Sequence, residues 1–184
     1  MARPTADDTR SWITGLVRSG LVEPEDLHAQ VVEALRTDHR RLDADATATA
    51  WIDEARAAWR ADASTWPAVT DHDRLLRGFA SLEAAGIVVL PGCADHWAAR
   101  DELARRDPLP VGIAWFTAPD VWHAVDEGML EVNLWHGTTA NAAPGDDLLA
   151  VALGAFAGAG LEAHFDEGRV EVAAYWQRRP PAGP

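Results

Sequence analysis

Apolar residues along the chain recur first at helical spacing, then in short runs and alternations. Trp12, Ile13, Leu16 and Val17 fall on one helical face behind Thr5-Ala6-Asp7-Asp8, a capping-box pattern, and Gly20 stops the turn. Pro24 suits a first helical position, and Leu27, Val31, Val32 and Leu35 continue a second amphipathic face. Residues 37–46, TDHRRLDADA, are charged and aperiodic and predict a loop. A third helix is expected from about Thr47, with Trp51, Ile52, Ala55 and Trp59 on its stripe. After Pro67 the same logic repeats: Thr70-x-x-Asp73 caps a helix carrying Leu75, Leu76, Phe79 and Leu82, and Gly86 ends it.

From there the period changes. Ile87–Leu90 is a continuous apolar run, the mark of a buried strand, followed by a Pro91-Gly92 break and a weaker helix over 94–106. Val111–Phe116 predicts a second strand. Pro119-Asp120 opens a helix that places Val121, Trp122 and Val125 inward. In 129–135, Leu130, Val132 and Leu134 alternate with Glu131, Asn133 and Trp135, which predicts a strand with one wet face. Asp146 opens another helix, with Leu148, Leu149, Ala152, Leu153 and Phe156, and Gly158 and Gly160 end it. Leu161–Phe165 and Arg169–Trp176 read as a hairpin joined by the three-residue turn Asp166-Glu167-Gly168. The expectation is an α+β fold. A helical N-terminal region (1–66) precedes a mixed, roughly five-stranded sheet domain (67–177) with helices on one face and a C-terminal hairpin. A disordered tail (178–184) closes the chain. The uncovered face would carry Glu131, Asn133, Trp135, Glu162, His164, Arg169, Glu171 and Tyr175.

The stretches WPAVTDHDRLLRGFASLEAAGIVV and VGIAWFTAPDVWHAVDEGMLEVNLWHG, with the closing helix and hairpin, resemble an actinobacterial family of uncharacterised proteins, a domain of unknown function. The likeness covers roughly residues 47–176 and is sharpest over TDHDRL and LEAAGIV. It implies a bacterial cytoplasmic α+β protein and carries no activity with it. Where the family leads one to expect closely spaced cysteines after the LEAAGIV strand, LPGCADHW holds Cys93 alone.

Charge alters this picture more than composition does. Acids number 29 against 16 bases, all of them arginine, for a formal net charge of −13. Such a surface repels duplex nucleic acid and anionic membranes and attracts a basic protein. No apolar run is long enough to span a bilayer, the N-terminus lacks a signal core, and one cysteine suits a reducing compartment; a cytoplasmic location is expected. No cofactor is expected. The glycine-rich phosphate loops, the nucleophile elbow and the paired-histidine zinc motif are all missing from the sequence.

Two constellations remain. Cys93-x-x-His96, with His72 recruited from afar, has spacing suited to a metal or an activated thiol. Trp135 and Tyr175, with Glu131, Asn133, His136 and His164, could form an aromatic and acidic binding surface. The favoured expectation is a non-enzymatic binding module, with neutralisation of a basic partner as one concrete form. The alternatives are a small-molecule or metal-dependent enzyme with a pocket near Cys93, His96 and His72, and a structural homodimer joined through tryptophans.

Overall fold

The computed structural model describes residues 3–181. The chain divides into two compact units: one contains the chain up to Pro67 and again from Arg178, the other is Ala68–Gln177.

The first unit is built on α1 (Ala6–Ser19), α2 (Pro24–Asp38) and α3 (Ala44–Ala63). The Thr5–Asp8 capping box forms as the sequence predicts, and Gly20 closes α1 in the left-handed conformation at φ 65°. The apolar stripes meet: Ile13, Leu16, Val31, Leu35, Ile52 and Trp59 are all buried. Trp12 and Trp51, expected in the core, are only half-buried. The charged loop is shorter than its composition suggests. α2 runs on to Asp38, and Asp43 caps α3 by accepting from the Ala46 N–H at 3.1 Å. Residues 37–46 hold acids that favour helix starts as much as loops, so polarity alone overestimates the gap. His39 is not solvated either: its Nε2 lies 2.8 Å from the Thr9 hydroxyl.

The expected disordered tail is also corrected where it is described. Arg178 packs its guanidinium over Trp59 at 4.7 Å, and the Trp59 indole N–H donates to the Arg178 carbonyl at 2.8 Å. Arg179 donates to the Pro67 carbonyl at 2.6 Å. Residues 182–184 of that expectation lie outside the described residues.

The second unit contains α4 (Asp71–Ala84), β1 (Ile87–Leu90), α5 (His96–Ala104), β2 (Gly112–Trp115), α6 (Ala118–Asp126), β3 (Met129–His136), α7 (Asp147–Gly158), β4 (Glu162–Asp166) and β5 (Arg169–Ala173). The sheet has five strands in the order β1-β2-β3-β5-β4. The β1–β2 pair is parallel and the remaining pairs are antiparallel, so the sheet is mixed and the fold is α+β. The β4–β5 turn is tighter than predicted. Asp166 pairs with Arg169, leaving Glu167 and Gly168 as a two-residue loop with φ 39° and 94°. Two left-handed residues match the twist of the flanking strands.

Leu130, Val132 and Leu134 of β3 and Val170 and Val172 of β5 point to one face and are fully buried. α4 and α7 cover that face, with Phe79 stacked on Phe116 at 5.5 Å and edge-on to Phe156 at 6.0 Å. On the opposite face α5 departs from the expectation of helices on one side only. Its Ala99 and Leu103 pack with Cys93 on Ile113 and Trp115. All four β2 residues are therefore buried, while β3 keeps its alternation. Within this unit, its own helices cover the β1–β2 end of the sheet on both faces and the β3–β5–β4 end on one.

Candidate functional site

The uncovered half-face is set by strand register. Glu131 lies opposite Glu171, Asn133 opposite Arg169, and Met129 opposite Ala173. Glu171 in turn lies opposite His164, Arg169 opposite Asp166, and Ala173 opposite Glu162. Period-two alternation sends all of these side chains to the same side. Six predicted residues of that face, Glu131, Asn133, Glu162, His164, Arg169 and Glu171, are thus brought together on neighbouring strands. One ion pair crosses it, Arg169 with Glu131, and His164 Nε2 lies 3.2 Å from the Glu171 carboxylate. Glu162 and Asp166 stand at the β4 edge, both exposed. Four carboxylates against one arginine and one histidine leave this surface acidic. The Glu131 and Glu171 side chains keep only 18% and 24% of their exposure, being held between the neighbouring strands.

The two aromatics do not join into one patch. Trp135 has the predicted parity but lies under the edge of the α5 layer, its ring 5.1 Å from Trp115 in an edge-to-face pair. Tyr175 follows β5 at the opposite end of β3, against Gly128, where a Cβ would come within 2.7 Å of its ring. Six residues of strand separate the two ends, roughly 20 Å at about 3.4 Å per residue. The local alternation of β3 was legible, but α5, which uses the face beyond it, comes from a weakly periodic segment. That segment instead presents Trp97, 58% exposed, which the sequence reading passed over.

His136 is the other predicted residue that acquires a partner. Its Nε2 lies 2.9 Å from Asp146 Oδ2, and the same carboxylate oxygen accepts the Ala143 N–H at 2.8 Å. The histidine and the amide N–H hold the Asp146 carboxyl below its ordinary pKa. The pair ties the end of β3 to the start of α7 and closes the loop 137–145. Within that loop Thr139 takes φ 70°, a left-handed conformation uncommon for a β-branched residue. No spacing rule links His136 to Asp146; the loop between them sets the distance.

The cysteine constellation is not assembled as predicted. Cys93 is 5% exposed, with its Sγ 3.0 Å from the Asp95 carbonyl as an S–H donor. Burial pushes its thiol pKa up, outweighing the local hydrogen bonds, so the site disfavours the thiolate that a nucleophile or metal ligand requires. Asp95 caps α5 through the Trp97 and Ala98 N–H groups at 2.9 and 3.0 Å. His96 is exposed beside Trp97, at 4.6 Å between rings, while His72 packs edge-on against Trp176 at 4.7 Å. Among the described residues no group of three or more His, Cys, Asp or Glu converges as a metal centre would need.

A family model for a domain of unknown function, DUF6891, matches residues 3–180. The chain belongs to this family. The match takes in the N-terminal helices and the stretch past β5, well beyond the 47–176 suggested by the sequence motifs. DUF6891 thus includes both compact units. No curated protein and no solved structure matches the chain. Among the described residues of this DUF6891 chain no helix is long and apolar enough to cross a membrane.

Proposed function

We propose that this DUF6891 protein is a non-enzymatic binding module that offers the uncovered β3–β5–β4 face to a basic protein partner. The observation that carries the reading is the register that gathers Glu131, Glu171, Glu162 and Asp166 on one half-face of the second unit's sheet. The net charge of −13 adds a long-range field that would speed encounter with a cationic partner. Arg169 and His164 divide the carboxylates into pairs and give the face a pattern that a partner's cations can match. The buried neutral thiol of Cys93 argues against the nucleophile reading of the same unit.

The test is a titration with a synthetic arginine-rich peptide, followed by backbone amide shifts. Saturable shifts confined to 129–133 and 162–173, weakened by salt and abolished in Glu131→Arg/Glu171→Arg, are expected. Shifts spread evenly over every acidic surface, unaffected by the double reversal, would overturn the reading. Trp135→Ala is a poor probe here, because removing the Trp115–Trp135 pair disturbs packing under α5.

A further inference from the structure

The first unit encloses a cavity of about 320 Å³ between α1, α2, α3 and the returning chain at Arg178. Its apolar wall includes Leu16, Val22, Leu27 and Trp59, and its charged lining is Glu23, Arg56 and Arg178. Two cations to one anion reverses the balance of a chain with 29 acids and 16 bases. The volume lies at the lower end of the range for small-molecule sites.

Arg178 is the central group. Its Nε donates to the Arg18 carbonyl at 3.3 Å and one Nη2 hydrogen to the Val17 carbonyl at 3.4 Å, while the Trp59 ring supports its face. Gly20 makes this approach possible: a Cβ there would sit 2.2 Å from the guanidinium carbon. A guanidinium has five N–H donors, so these bonds leave Nη1 uncommitted. Among the described residues no carboxylate pairs with Arg178. Its desolvation is real enough to pull its pKa down. Arg56 has only a loose approach to Asp53 at 3.8 Å. A partly buried cation that lacks a counter-ion is costly, and an incoming carboxylate relieves that cost. Planar guanidinium donors suit a carboxylate in particular.

We propose that this cup binds a small monocarboxylate with an apolar body. The carboxylate lies on Nη1 of Arg178, with Arg56 as the second cation, and the hydrocarbon runs along Leu16, Val22, Leu27 and Trp59. Glu23 opposes the ligand's charge and lowers its affinity. An inorganic anion would leave the apolar wall bare, and a neutral alcohol would leave Arg178 unpaired.

Octanoate is the probe, with 1-octanol and sulfate as controls. Binding is measured on the full chain by calorimetry and by the shift of the Trp59 indole N–H signal. Octanoate should saturate that shift and bind at least tenfold more tightly than either control. Arg178→Gln should weaken octanoate about tenfold and Arg56→Gln severalfold, while Glu23→Gln should tighten it two- to fivefold. Equal affinity for octanol would mean an apolar hole only and would overturn the proposal. So would an unmoved Trp59 signal, or Glu23→Gln and Arg56→Gln variants that bind octanoate like the parent. The Glu23 and Arg56 variants decide the matter if Arg178→Gln fails to fold.

Discussion

Gly20→Ala is the most informative single perturbation, because two separate costs meet at one Cβ. Gly20 sits at φ 65°, where an alanine costs about 1–2 kcal/mol. The added methyl would also lie 2.2 Å from the Arg178 guanidinium carbon, which must move. Moving it gives up two long hydrogen bonds to Val17 and Arg18, together about 1 kcal/mol at their length. It also gives up a partly exposed cation–π contact with Trp59, about 0.5–1 kcal/mol. The expected total is about 3 kcal/mol in the parent. In an Arg178→Ala background only the backbone cost remains, about 1–2 kcal/mol. The coupling in a double-mutant cycle is therefore about 1.5 kcal/mol. Urea denaturation of the four proteins, followed through the Trp59 indole signal, measures it. Equal costs in both backgrounds would show that the guanidinium does not occupy the space over Gly20. No cost in either would show that Gly20 is not left-handed.

Three further outcomes follow from the second unit. His136→Phe, which has no side-chain donor, should raise the Asp146 carboxyl pKa toward its ordinary value, read by carbon-13 titration; as its folded pKa is depressed, the stability it lends is present above the unfolded pKa and lost as pH falls through the folded one. An unchanged Asp146 titration would remove the His136 hydrogen bond from the account. Cys93 should resist alkylation in the native state and react once urea opens the chain. Because its folded thiol pKa is raised, its contribution is complete below the unfolded pKa and is lost as pH rises through the folded one; native reactivity matching the unfolded chain would contradict its burial. Thr139→Gly should stabilise by up to about 1 kcal/mol, since relief of the left-handed strain outweighs the added freedom of the unfolded chain; a loss in Tm would mean that the threonine side chain holds the loop.

Side-chain periodicity, capping chemistry and glycine stops are local, and they determined most of the elements. Thr5–Asp8 and Thr70–Asp73 close as capping boxes because three residues of helix fix their distance. The alternation over 129–135 placed Glu131 and Asn133 on a wet face because a strand's period is two. Strand register, which no local rule supplies, decided that Glu131 meets Glu171 and that His164 joins them. Trp135 shows where local reasoning stops: its parity was right, but α5 (His96–Ala104), from well before it in the chain, had already taken the face beside it. His136 needed a loop closure to find Asp146. Arg178 read as part of a polar tail and became the roof of a cavity, because the chain's return to Trp59 and Gly20 is a long-range event. Hydrophobic patterning thus determined most of the residues buried within each element, with Trp12, Trp51 and the 51% exposed Leu76 as departures. Only tertiary packing decided which charges share a surface and which cation has no acid paired with it among the described residues, since both depend on elements distant in sequence arriving at the same place.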